Sequence, residues 1–109
     1  ETGYWMWDPE ATIIMHSLLI PRAVGVLAGG EYSGLKNSEG RVIMNLKASI
    51  DDEKWQIIQS PFMQKNARTT EFRQEVIVGN GKLAYSETTT VEIYGKVFEH
   101  TDQNELLLQ

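Results

Sequence analysis

The stretch Ala67-Arg68-Thr69-Thr70-Glu71-Phe72-Arg73-Gln74-Glu75-Val76-Ile77-Val78-Gly79-Asn80-Gly81-Lys82-Leu83-Ala84-Tyr85-Ser86-Glu87-Thr88-Thr89-Thr90-Val91-Glu92-Ile93 decides the fold. Asn80-Gly81 at its centre is the strongest hairpin signal in the chain. A two-residue type I′ turn needs positive φ at both central positions, and Asn and Gly tolerate it best. Ala67 to Val78 reads as one long strand, and Lys82 to Ile93 returns from the turn as its partner. Thr88, Thr89 and Thr90 have high strand propensity.

The same pattern extends outward in both directions. Val42, Met44, Leu46, Ala48 and Ile50 alternate with Ile43, Asn45, Lys47 and Ser49, a period of two with one face drier than the other. Tyr4 to Trp7 is an aromatic strand ending at the turn signal Asp8-Pro9. Thr12 to Ile20 is rich in β-branched and apolar residues, which are stiff at χ1 and favour strands, and Pro21 is expected to stop it. Ala23 to Leu27 follows, with a bend expected at Ala28-Gly29-Gly30 and further pairing over Glu31 to Lys36. Trp55 to Gln59 reads as a short strand closed by Ser60-Pro61. Tyr94-Gly95-Lys96 turns again, and Val97 to Leu108 makes the last strand. No stretch predicts an amphipathic helix. The sum is about eight short strands joined by short turns, an all-β antiparallel up-and-down meander. Such a meander must close or be covered to protect its edges, so closure into a calycin- or lipocalin-like barrel is expected. Glu1 to Trp7 reads as a strand already under way, which predicts that N-terminal strands of the barrel lie upstream and that residues 1–109 form a single domain.

Composition narrows the function. The chain has 109 residues, no cysteine and a net charge of -5. Absent cysteine removes disulfides, thiolate metal sites and cysteine nucleophiles, and the expected compartment is cytoplasmic. The acidic balance argues against nucleic-acid partners. No apolar run approaches the roughly 18 residues of a membrane helix. The sequence holds no Gly-rich phosphate loop, HExxH or nucleophile elbow. Asp51-Asp52-Glu53 reads as a solvated acidic turn before Trp55.

The nitrogen donors are His16 and His100. His16 shares a strand face with Ile14 and Leu18, and reads either as a core histidine bonded to a backbone carbonyl or as a pocket residue. His100 shares a face with Phe98 and Asp102 by strand alternation, and reads either as a surface residue or as a metal ligand oriented by Asp102. Trp5 and Trp7 share one face, with Tyr4 and Met6 on the other.

Four segments, in order, resemble the nitrobindin family of heme-binding β-barrels. They are Glu1-Thr2-Gly3-Tyr4-Trp5; Met15-His16-Ser17 leading to Val24-Gly25-Val26-Leu27-Ala28-Gly29-Gly30; Asn66-Ala67-Arg68 with Gly79-Asn80-Gly81-Lys82-Leu83-Ala84-Tyr85; and Phe98-Glu99-His100 followed by Leu106 and Leu108. The resemblance implies ferric heme b with His100 as the axial iron ligand. It implies Arg68 beside a heme propionate, His16 on the cavity side, and NO binding with isomerisation of peroxynitrite to nitrate as the chemistry; Thr89, read as a strand residue, is expected to face the cavity. Three departures accompany it. Tyr85 to His100 is one residue longer than the family pattern, which predicts a bulge or longer turn near Tyr94-Gly95. An apolar Met-rich stretch is replaced by Ser86 to Thr90, and a lysine by Arg68. The more polar wall opens the alternative of a non-catalytic carrier, similar to lipocalins and fatty-acid-binding proteins, for a small hydrophobic ligand.

Overall fold

The computed structural model describes residues 2–20 and 23–107. The expectations placed on Glu1, Pro21 and Leu108 lie outside the described residues. The elements are β1 (Thr2–Asp8), β2 (Ile13–Ile20), β3 (Val24–Glu31), β4 (Val42–Ser49), β5 (Ile57–Gln59), α1 (Pro61–Asn66), β6 (Ala67–Gly79), β7 (Lys82–Ile93) and β8 (Lys96–Leu107). They form one antiparallel meander in the order β1-β2-β3-β4-β6-β7-β8, with β5 paired to β3. The all-β reading holds. Among the described residues the sheet is curled and open, with β1 and β8 at its edges.

Alternation builds one apolar inner face. Leu18, Val24, Val26, Ala28, Leu46, Ala48, Ile57, Phe72 and Val76 are buried. Phe72 and Val76 are the largest side chains fully withdrawn from solvent, and in β4 they stand opposite Ala48 and Met44. A small residue facing a large one lets the layers interdigitate at native density.

The β6–β7–β8 region follows its turns. Asn80 (φ 54) and Gly81 (φ 72) take the left-handed backbone of a type I′ turn. Tyr94 (φ 48) and Gly95 (φ 79) do the same. The β7–β8 register is therefore unbroken from Lys82↔Leu107 to Ile93↔Lys96. This corrects the bulge or longer turn expected near Tyr94-Gly95. The irregularity lies instead in β6, between Thr69 and Glu71. Thr70 is the extra residue, and its hydroxyl donates to the Thr90 carbonyl at 3.3 Å. The bulge changes which residues face inward: Thr69 before it and Phe72, Gln74 and Val76 after it are buried.

Three further differences from the sequence reading have local causes. First, β3 runs through Ala28-Gly29-Gly30 as one continuous strand, paired residue by residue with β2. The glycines serve close approach: a Cβ on Gly29 would lie 2.5 Å from the Trp55 ring, and one on Gly30 would meet the Asn45 carbonyl oxygen. Second, pairing ends at Glu31, apart from a lone bridge between Lys36 and Val42. Third, Ser60-Pro61 closes β5 and also starts α1. The Ser60 hydroxyl accepts from Met63 N–H at 3.3 Å, and Pro61 takes a first-turn position, where a missing N–H costs nothing.

Trp55 sits in the loop before β5, held by Asp52. The Asp52 carboxylate accepts from the N–H groups of Lys54 (2.7 Å) and Trp55 (3.0 Å). The bond from Trp55, then that from Lys54, hold its pKa below the ordinary aspartate value. A depressed folded-state pKa contributes stability above the unfolded value, and that stability is lost as pH falls through the folded value. The stability gap between wild type and Asp52→Ala, read from urea midpoints, should be full near neutrality and shrink on acidification. A gap independent of pH would show that the carboxylate charge plays no part.

Candidate functional site

Opposite the core, the inner face opens into a cavity of about 480 Å³. Its walls come from the end of β2 (Ile20), the start of β3 (Val24), α1 (Met63), the start of β6 (Ala67, Thr69), β7 (Glu87, Thr89, Val91, Ile93) and β8 (Phe98, His100, Asp102). Each strand contributes every second residue, as a period of two requires. The volume falls within the range of small-ligand pockets, about 300–1,000 Å³. Apolar groups make most of the wall, and the polar groups gather on β7 and β8.

His100 and Thr89 face each other across the β7–β8 pair and both line this cavity. The His100 side chain is 77% exposed, because β8 is an edge strand. Its Nε2 lies 4.0 Å from Asp102 Oδ2, within ion-pair range and beyond hydrogen-bond length. Arg68 is not among the lining residues. It alternates with Ala67 and Thr69, so it lies on the outer face, where its guanidinium is 3.6 Å from Glu92. Among the described residues, the lining supplies the carboxylates Glu87 and Asp102 and no ammonium or guanidinium.

His16 stands apart from these groups, deeper on the same inner face. It is 8% exposed and lies flat against Trp5, its cross-strand partner, with ring centroids 4.1 Å apart and planes 9° from parallel. Its Nδ1 is 2.9 Å from Gln74 Oε1, rather than on a backbone carbonyl. Gln74 Nε2 in turn donates to Glu87 Oε1 at 2.7 Å. Gln74 and Glu87 are themselves buried, at 4% and 7% exposure. This polar chain runs from β2 to β6 to β7 and joins strands that the sheet order separates by β3 and β4. Its Glu87 end is the polar floor of the cavity.

Sequence reading missed Gln74. The available signal was its place between Phe72 and Val76, a polar residue in an apolar register. It noted the polar run Ser86 to Thr90 without dividing it by face. Glu87 and Thr89 point to the cavity, whereas Thr88 is on the other side, 3.2 Å from the Thr101 hydroxyl.

A second cavity, about 620 Å³, lies where β3 and β4 meet through the single pair Gly29↔Lys47. Lys47, Lys54, Arg73 and Trp55 line it together with Glu31 and Asp52. Arg73 is committed to Glu71 at 2.8 Å.

A curled antiparallel meander with an apolar inner face, and a cavity holding an imidazole, defines a ligand-binding domain of the β-barrel class. The chain belongs to the THAP4-like, heme-binding beta-barrel domain family, whose profile matches residues 1–107. The nitrobindin-like resemblance and the expectation of heme as ligand agree with this membership. No curated protein and no solved structure matches the chain.

Proposed function

We propose that this domain binds ferric heme b in the cavity between β7, β8 and α1, with His100 as the axial nitrogen ligand. The observation that carries the reading is His100 beside Thr89 on an otherwise largely apolar wall, in a chain of a heme-binding family. The donor set suits the group: an imidazole for iron, and Ile20, Val24, Met63, Val91, Ile93 and Phe98 for a flat apolar ring. Asp102, exposed on the cavity wall, would disfavour a propionate beside it. Arg68, on the outer face beside Glu92, serves a propionate only by leaving that pair. When bound, heme supplies the chemistry of NO binding and peroxynitrite isomerisation, and the protein supplies position and surroundings. Within that arrangement Thr89 packs beside the axial imidazole, and His16 tunes the interior from behind Gln74.

A second reading follows from the same wall. Carboxylates at one end and apolar groups at the other also suit a carrier of a small neutral hydrophobic molecule.

Hemin titration separates the two. Heme binding should give a saturable Soret band. A neutral fluorescent probe such as 1-anilino-naphthalene that enters the cavity, with no Soret band at any hemin concentration, would favour the carrier.

A further inference from the structure

We propose that the cavity at the β3–β4 seam is a second binding site, on the outer face of the sheet, for a small planar aromatic carboxylate. Ala28, Leu46, Ala48, Phe72 and Gln74 are buried on the inner face. Gly29, Lys47 and Arg73 alternate with them, so they belong to the opposite face, away from the cavity lined by His100. The site therefore stands apart from the heme reading.

The cavity exists because two strands part. β3 and β4 share the single pair Gly29↔Lys47, while the first residues of β3 pair with β5 instead. Gly29 and Gly30 present bare backbone to the opening, and the loop before β5 brings Trp55 onto it. A Cβ on Gly29 would lie 2.5 Å from Cη2 and Cζ3 of Trp55 and 2.6 Å from Cε2. Three atoms spread around one six-membered ring, at nearly equal distance, put that ring face-on over Gly29. The contact takes up one face of the indole and fixes its plane, yet Trp55 still lines a volume of about 620 Å³. A fixed indole is a platform against which a second flat ring packs, offset-stacked or edge-on.

The charges select the sign of the ligand. Three of the ten lysines and arginines of this acidic chain, Lys47, Lys54 and Arg73, gather on the wall. Arg73 is already held by Glu71 at 2.8 Å. Lys47 and Lys54 are exposed and form no ion pair among the described residues. Of the two carboxylates on the wall, Asp52 is engaged by the N–H groups of Lys54 and Trp55, which leaves Glu31. Two uncommitted ammonium groups against one uncommitted carboxylate suit a ligand with a single negative charge. A polyphosphate would bring more charge than the wall can match.

The probe is sodium 2-naphthoate, with 2-naphthylmethanol as its uncharged counterpart, added to the full chain without heme and followed by ¹H–¹⁵N NMR. A ligand of this size binds in about the millimolar range. Naphthoate should shift the Gly29, Gly30 and Lys47 amides and the Trp55 indole N–H along one saturable curve, and should bind more tightly than the alcohol. Lys47→Gln combined with Lys54→Gln should weaken naphthoate about threefold to tenfold, as two exposed charge pairs predict, and leave the alcohol unchanged. Trp55→Leu should weaken both probes; if that variant does not fold, the lysine pair still decides. Equal naphthoate affinity in wild type and the lysine variant would overturn the proposal. So would shifts confined to Thr89, Phe98 and His100, or no saturable shift at the seam.

Discussion

Phe72→Ala should lower unfolding stability by about 3–5 kcal/mol, the range for deleting a buried phenylalanine. Phe72 is 1% exposed and stands at the centre of the inner face, across from Ala48 in β4 and Thr89 in β7. Its neighbours in that layer are small or already committed. Ala48 cannot grow into the void, and Gln74, two residues along, is held by His16 and Glu87. The cavity would therefore collapse only in part, and the cost should fall toward the upper end of the range. A domain of this size has about 5–15 kcal/mol to lose, so the variant should fold with a much reduced urea midpoint. Phe62→Ala is the control: Phe62 is 70% exposed on α1, and its loss should stay within about 0.5 kcal/mol. Similar losses for the two variants would mean that the inner face is not a packed core.

Gly30→Ala should be the next most damaging change, costing about 1–3 kcal/mol by overpacking. A Cβ there meets the Asn45 carbonyl oxygen, part of the backbone, which cannot rotate away. Strands β3 and β4 would have to separate, yet only the Gly29↔Lys47 pair joins them. That pair should break first, and amides along the β3–β4 seam should exchange faster. Gly25→Ala, in the same strand, is the contrast. The nearest atom to its Cβ is the end of the Leu19 side chain at 3.6 Å. It should be neutral or slightly stabilising, because alanine reduces the freedom of the unfolded chain. If both substitutions cost the same, close approach is not why glycine occupies position 30.

The strands were legible because period-two alternation and turn chemistry act locally. Asn80-Gly81 and Tyr94-Gly95 set the register of the longest hairpins, and the structure has both turns. The Thr70 bulge was not legible, because nothing in Thr69-Thr70-Glu71 distinguishes an inserted residue from an ordinary strand residue. Only the parity of the buried positions on either side reveals it, and that parity needs the fold. That β3 continues as a strand through Ala28-Gly29-Gly30, where a bend was expected, was not legible for a similar reason. Glycine relaxes the backbone and also permits contact, and which role applies depends on Trp55 and Asn45, distant in sequence. The α1 helix escaped notice because six residues give no amphipathic period. Its Ser-Pro start was the one usable sign.

The candidate site was legible in part. Alternation placed His100, Phe98 and Asp102 on one face, and all three line the cavity. It placed His16 among apolar neighbours, where it is buried. The same rule applied to Arg68 would have set it opposite Ala67 and Thr69, away from the cavity they line. The link from His16 to Gln74 spans 58 residues and depends on the curl of the sheet. No local pattern carries that information.

The heme assignment at His100 is tested most directly by hemin titration of the full chain and of His100→Ala, followed through the Soret band. His100 lies on an edge strand with its ring exposed, so the substitution should leave the unfolding free energy within about 0.5 kcal/mol of wild type. Wild type should saturate with the spectrum of a histidine-ligated ferric heme. The variant should lose that spectrum, and added imidazole should restore it by supplying the missing ligand. The same histidine-ligated spectrum in both proteins, without added imidazole, would contradict the account and move the iron ligand away from His100.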